Sequence, residues 1–368
     1  AYKYGVAAWL EEMGRLIKSF KFSKGSVINM QKTDEKVSGY LDARNSHFNI
    51  LQFQFKVLIA FKVLITAAML IIGSLLLVNQ QLNIGQFIAA EIVIISVIAS
   101  VEKLIGNLDS VYDVLTSVDK IAKITDKPVE TSGTYLLPEK KEGLSIEAGN
   151  VCFAYTDEKY VLQNISFRIK PGETVCITGK EGSGKSTLLK IVSGSYQGFE
   201  GSLLLNDLPV GNYELKSLRQ QTGILLSQQD IFHGSLLDNI TMGQPGIDLQ
   251  QIIHLFKETG LTEFLGTLPE GFDTWLDPTG KRLSRNVINK ILLVRALVGQ
   301  PRLLLLEEPW TYIEEPYRSQ IIRLLLKEYP NTTILVVSND PEFTRLCDKV
   351  IDVKNEGCII KQNKTTDH

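Results

Sequence analysis

Residues 179–187 read Gly-Lys-Glu-Gly-Ser-Gly-Lys-Ser-Thr, preceded by the apolar stretch Val175 to Thr178 and followed by a Leu-Leu-Lys run. The spacing predicts strand, loop and helix in that order. Gly179, Gly182 and Gly184 supply conformations that a side chain would obstruct, so backbone N–H groups can close around phosphate oxygens. Lys185 then meets the outer phosphates as a point charge. The Ser186 hydroxyl is placed for magnesium, and the helix N-terminus adds its partial positive charge. With Ser183 and Thr187 completing the loop, the pattern predicts a nucleotide site rather than an unliganded glycine-rich turn.

A second feature constrains the other end of the chain. Val57 to Val78 is an apolar run broken only by Lys62, and Phe87 to Val101 is a shorter one containing Glu91. The first meets the length of a membrane span, and the second reaches it because Leu82, Ile84, Leu104 and Ile105 continue its character. Segment 1–50 carries eight Lys and Arg residues whereas Asn79 to Gln86 carries none, so the short connection is expected outside and both long ends inside. Lys62 and Glu91 are expected to face other helices or a water-filled cavity, as interhelical polar contacts rather than pathway residues. A formal net charge of −2 gives no footprint for nucleic acid, which is not expected as a partner. Cys152, Cys176, Cys347 and Cys358 lack the paired spacing of a zinc site and read as reduced cytoplasmic thiols. The chain begins Ala-Tyr-Lys-Tyr, without an initiator Met or a signal-peptide pattern, and is expected to be a piece of a longer polypeptide.

After the second run, Val101, Leu104, Ile105, Leu108, Val111, Leu115, Val118 and Ile121 recur at spacings of three and four, predicting that one helix continues out of the membrane. Residues 126–143, with Pro128, Pro138 and a Lys-Lys pair, read as a linker. From Leu144 short strands alternate with helices. Val151 to Tyr155, Ile165 to Ile169, Val175 to Thr178, Leu303 to Leu306 and Ile334 to Ser338 are strand candidates of an α/β domain over 144–368. The Leu303–Leu306 strand runs into Glu307, Glu308 and Pro309. Beside a magnesium ion and a γ-phosphate the first acid can hold the metal's water shell, and the second can orient or deprotonate the attacking water.

Together the phosphate loop, these acids and the Arg295-Ala296-Leu297 and Pro301 ahead of them resemble the ATP-binding cassette (ABC) family, specifically the exporters that fuse a membrane domain ahead of the cassette. The resemblance implies a fold of α-helical transmembrane segment followed by an α/β P-loop NTPase cassette, with ATP and magnesium bound. Tyr155 matches the aromatic residue on which the family stacks adenine. Gln228 matches the glutamine that senses magnesium and the membrane domain, with Gln229 an adjacent competitor. Glu307 takes the metal-facing position and Glu308 that of the catalytic acid. Residues 1–125 look like the last third of the membrane domain: Ala1 to about Arg15 is similar to a coupling helix, and spans at about 57–78 and 84–105 would be the fifth and sixth of six.

The departures from the family pattern matter as much. The signature Leu-Ser-Gly-Gly-Gln, which in the family caps the ATP held by the opposite cassette, is here Leu283-Ser284-Arg285-Asn286-Val287. Cβ atoms stand where close backbone approach was required. The γ-phosphate histidine is replaced by Asn339, which can hydrogen-bond but cannot carry positive charge or relay a proton. Glu307 and Glu314 stand in for aspartates. The resemblance implies an exporter subunit in a cell membrane, multi-pass, with a cytoplasmic cassette, membrane lipid around it and an exported substrate the residues do not identify. A weakly hydrolytic or non-hydrolytic regulatory half is the alternative. A second half-transporter is the implied partner, and because the defects fall on both sides of each shared site, a heterodimer is favoured over a homodimer.

Overall fold

The computed structural model describes residues 2–23, 27–155, 159–227, 229–276, 283–354 and 356–363. The chain divides into two compact units, Ala1–Pro128 and Val129–His368.

The first unit is helical: α1 (Tyr2–Arg15), α2 (Ile17–Lys21), α3 (Ile28–Val78) and α4 (Ile84–Thr125). No proline occurs before Pro128, so nothing removes a donor from the two long hydrogen-bond ladders. With 51 residues in α3 and 42 in α4, they reach ~77 and ~63 Å, more than twice a ~30 Å hydrocarbon layer. Both are long and apolar enough to cross a membrane. The extension of α4 to Thr125 follows the predicted periodicity. That of α3 back to Ile28 was not anticipated, because residues 28–56 are polar on most faces and show no single apolar stripe.

The turn between α3 and α4 is closed by a reciprocal cap. The Asn83 side chain accepts from the Gln86 N–H at 2.8 Å while the Gln86 side chain accepts from the Asn83 N–H at 3.1 Å. Just below it, a Cβ added to Gly73 would lie 2.3 Å from the Phe87 ring, so the close approach of the helices requires glycine there. Lower still, Lys62 Nζ meets Glu102 Oε2 at 2.5 Å. These two residues lie 16 positions before Val78 and 18 after Ile84, hence ~24 and ~27 Å from the turn. The lysine in the apolar run is thus an interhelical polar contact, with a partner that the sequence alone did not name. Helix α1 is fastened to α3 by a 2.9 Å hydrogen bond from Trp9 Nε1 to Thr33 Oγ1, and Lys120 of α4 sits 3.1 Å from the Tyr4 ring centroid.

The second unit contains, in chain order, β1 (Ile146–Ala154), β2 (Tyr160–Ile169), β3 (Thr174–Thr178), α5 (Lys185–Val192), β4 (Glu200–Leu205), β5 (Leu208–Pro209), α6 (Leu215–Gln220), β6 (Thr222–Leu225), β7 (Gly234–Ser235), α7 (Leu236–Thr241), α8 (Leu249–Thr259), α9 (Thr262–Gly266), β8 (Trp275–Leu276), α10 (Arg285–Leu297), β9 (Leu303–Glu307), α11 (Tyr317–Glu328), β10 (Thr333–Val337), α12 (Pro341–Leu346), β11 (Lys349–Lys354) and β12 (Gly357–Gln362). A six-stranded sheet runs β12-β11-β3-β10-β9-β6, parallel except for β12, and a four-stranded antiparallel sheet runs β2-β1-β4-β5. Because side chains alternate along a strand, the four consecutive leucines of β9 serve two cores. Leu303 and Leu305 join Val175, Ile177, Leu335 and Val337 against the antiparallel sheet. Leu304 and Leu306 join Cys176, Ile334 and Val336 against α8, α10 and α11. A parallel sheet covered on both faces is the setting in which such a continuous apolar strand belongs.

The register positions the site. Ile177 pairs with Val337 and Val337 with Glu307, while Leu225 pairs with Leu306. The carboxyl ends of β3, β10, β9 and β6 are therefore level, which brings the loop after Thr178, Asn339 and Glu308 to one rim, where open α/β sheets bind ligands.

The expected linker needs a correction of boundary. The chain does leave its helix after Thr125, but from Val129 it belongs to the second unit. Glu130 accepts two 2.8 Å bonds from Arg219, the Leu137 N–H donates to Ser217 Oγ at 2.6 Å, and Arg302 donates to the Pro138 and Glu142 carbonyls at 2.7 and 2.6 Å. Leu137 itself is buried. These partners lie 80 to 164 positions away in sequence, which is why composition alone read the segment as a linker.

Candidate nucleotide site

The phosphate loop occupies the turn from buried β3 into α5. Gly184 caps α5 with φ +90°, and a Cβ there would lie 2.5 Å from Leu162; at Gly179, with φ +142°, it would lie 2.5 Å from the Val353 carbonyl oxygen. At these two positions both torsion and space require glycine. Ser183 is buried in the loop and its Oγ has no hydrogen-bond partner, an orphaned polar atom of the kind that a bound group would satisfy. The Lys185 ammonium is held by the carbonyls of Gly179 at 2.9 Å and Lys180 at 2.7 Å, folded over the loop itself.

Glu307 joins the separate pieces. One carboxylate oxygen accepts from the Ser186 hydroxyl and the other from the Ser227 N–H at 2.9 Å, so α5, β9 and the segment after β6 meet at one side chain. A hydroxyl and a carboxylate in contact are hard oxygen donors that suit magnesium, and together with the glycine cradle and the orphaned Ser183 hydroxyl the residues present fit a magnesium-bound phosphate chain. Tyr155 stands beside the loop with its hydroxyl 2.9 Å from Thr187 Oγ1. Its ring is edge-on to Phe153 and Tyr196, which stack on each other with centroids 5.5 Å apart. Tyr196 comes after α5 and carries no motif, so the aromatic cluster around Tyr155 was not legible from the sequence. Gln228 lies outside the described residues. Its neighbour Gln229 turns its side-chain oxygen back onto the Leu226 N–H at 3.2 Å.

Glu308 has a positive φ of +46°, and its N–H donates to the Val337 carbonyl at 2.9 Å, so the acid is turned across the end of β10. Burial pushes its carboxyl above the usual range; Lys185 opposes this, while Glu307 and Asp340 add to it. Asn339 is exposed between two fixed neighbours. Ser338 Oγ accepts from Trp310 Nε1 at 3.0 Å, and Asp340 caps α12 and is held by Arg318. The strand end thus presents position 339 firmly, whichever residue occupies it.

A cavity of about 250 Å³ opens beside the acids, lined by Ser227, Gln229, Arg285, Asn289, Glu307 and Glu308 among others. Ser284 accepts from the Val287 N–H at 3.3 Å and caps α10, Arg285 approaches Asp230 at 4.0 Å, and Asn286 donates to Glu314. Leu283 packs at the margin of the helical core. Among the described residues, the side-chain hydrogen bonds and ion pairs of 284–286 go to these partners and none to the phosphate loop.

A raised carboxyl has a defined consequence for stability. The fold favours neutral Glu308, so its contribution is fully present below the ordinary glutamate pKa of ~4.3 and is lost as pH rises through the higher folded value. Glu308→Gln should therefore unfold at a higher temperature than the native chain at pH 7, with the difference shrinking as pH approaches ~4. Identical unfolding at pH 7 would mean that the burial cost is absent.

The sequence model of the ABC transporter family matches residues 162–311. The alpha-hemolysin translocation ATP-binding protein HlyB of Proteus vulgaris is 30% identical over 285 residues, covering 77% of this chain and 40% of that protein. The toxin RTX-I translocation ATP-binding protein of Actinobacillus pleuropneumoniae gives the same figures, 30% over 285 residues with 77% and 40% covered. The chain thus spans about two fifths of the length of the curated relatives it matches. Among solved structures, a bacterial Atm1-family ABC exporter with ATP bound superposes with a TM-score of 0.81 at 18% identity, over 98% of this chain and 64% of that one, a likeness of fold. Behind two apolar helices, the α/β unit thus carries an ABC transporter domain over residues 162–311, the segment that holds the phosphate loop and the strand-end acids.

Proposed function

We propose that this chain is the ATP-binding subunit of an exporter, coupling ATP binding and hydrolysis to movement of a substrate across a membrane. The observation that carries the reading is Glu307, bridging Ser186 and Ser227 beside the glycine cradle, with half-buried Glu308 next to it. Tyr155 would stack the base, and Lys185 and the loop N–H groups would hold the outer phosphates. Ser186, Glu307 and Gln228 would hold magnesium, which when bound shields phosphate charge and orients the γ-phosphoryl group. Glu308 would orient the attacking water and take its proton. Its upward-shifted carboxyl is closer to neutral pH than an ordinary glutamate and so better matched to that task. The similar proteins named for translocation support export as the purpose of the hydrolysis.

On this reading residues 1–125 are the end of a membrane domain, with the Asn79–Gln86 turn outside and the cassette in the cytoplasm. The charge asymmetry and the two apolar helices support it. Because Asn83 caps α4, the reporter for this topology is Gln81→Cys. It should react with an impermeant thiol reagent from outside intact cells, and labelling only after permeabilisation would contradict the orientation.

A weakly hydrolytic regulatory half is the second reading, favoured by Asn339 and by Arg285 and Asn286 in the signature. If each ATP lies between one chain's loop and the other's signature, a homodimer would carry defects on both sides of both sites, whereas a second, different half-transporter would separate them. We therefore favour a heterodimer. The purified chain alone should turn over ATP slowly, and Asn339→His combined with Arg285→Gly should raise the rate at least ~10-fold, a gain typical of one restored proton-transfer or charge-stabilising group. An unmodified homodimer already working at ~1–10³ per second, with the variant no faster, would show that these substitutions do not limit turnover.

A further inference from the structure

The first turns of α10 present Asn286, Asn289 and Lys290 on one face, at i, i+3 and i+4. All three hold the segment immediately after the strand-end acids. Asn289 Nδ2 donates to the carbonyls of Pro309 at 3.0 Å and Thr311 at 2.9 Å. Asn286 Nδ2 donates to one oxygen of Glu314, and Lys290 Nζ donates to the other at 3.0 Å. The Lys290 side chain is only 4% exposed, and its ammonium also lies 4.4 Å from the Tyr317 ring centroid. A buried ammonium needs a counterion, and Glu314 supplies it. Burial would raise the Glu314 carboxyl, but its own backbone N–H, Lys290 and Asn286 together hold it below the usual range.

The Asn286 amide is oriented by this carboxylate: Nδ2 faces Glu314 while Oδ1 is buried without a partner. Reversing the amide would set two oxygens against each other. Asparagine for glycine at 286 and glutamate for aspartate at 314, which look like independent departures in the sequence, are thus partners. An aspartate at 314, one methylene shorter, reaches less far toward Asn286.

We propose that Glu314 is a positioning residue that locks the signature segment 284–286 to the loop after Glu308. Resting on the exporter reading, this means that the segment addressed to the opposite cassette's nucleotide and the acid addressed to this chain's own nucleotide are presented as one unit.

The test is a double-mutant cycle read by amide hydrogen exchange in the full chain, using Asn286→Gly, Glu314→Asp and the two combined. Glu314→Asp keeps a negative charge near Lys290, so the chain retains its counterion, and Asn286→Gly leaves the Glu314 to Lys290 pair intact. Each single substitution should speed exchange in peptides covering 284–292 by about tenfold, the effect of losing one hydrogen bond to a charged group, with peptides of α11 unchanged. The combined variant should stay near tenfold, because both changes remove the same contact. Unchanged exchange in the singles, or a ~100-fold product in the double, would overturn the proposal. The readout needs no ATP turnover, so coupled exchange in a chain that fails to bind nucleotide would contradict the exporter reading and leave the tie standing.

Discussion

Three parallel strands covered by apolar side chains on both faces set the position of nearly everything else in the cassette. Within β3, β10 and β9, Val175 to Ile177, Ile334 to Val337 and Leu303 to Leu306 are fully or almost fully buried, and their register allows no slip without turning leucines from one core into the other. The three strands must therefore surface together, and each runs into a polar segment: the glycine loop, Ser338-Asn339-Asp340 and Glu307-Glu308. Hydrophobic burial supplies the alignment, and the chemistry sits where burial ends.

At that rim the polar groups are tied by few, specific contacts. Glu307 is bonded to the first turn of α5 and to the backbone after β6, so a shift in any of the three segments is felt by the other two. Glu308 takes the opposite role. It is half buried, with its carboxyl raised by desolvation and drawn back by Lys185. Position 339 is held in a frame built by Trp310, Ser338, Asp340 and Arg318.

The phosphate loop and the acid pair were readable because their chemistry is written in contiguous residues, and the strands because apolar runs bounded by turns have few alternatives. The α4 extension was readable from its spacing of three and four. Other features needed the third dimension. Residues 28–56 form helix without an apolar stripe to announce it, since the absence of proline and the continuity of the ladder decide the matter. Residues 126–143 read as a linker because Arg219 and Arg302, which bind the segment from Glu130 to Glu142, lie far along the chain. Asn286 and Glu314 read as separate departures and Lys290 carried no reading, and only the packing of α10 against the loop after β9 makes them one cluster. Tyr196 belongs to the same class: a residue without a motif, brought to Tyr155 by the fold.

Every role assigned at this rim depends on whether the loop from Gly179 to Thr187 holds a nucleotide through Lys185. The most direct measurement is the equilibrium affinity of the purified chain for magnesium ATP, compared with that of Lys185→Ala. The Lys185 ammonium is held by two backbone carbonyls in this structure, so its removal should leave the fold intact while deleting the charge that meets the outer phosphates. Binding should weaken on the order of tenfold or more, as expected for loss of a charge-assisted contact. Equal affinity in the two proteins would contradict the assignment of this loop as the nucleotide site.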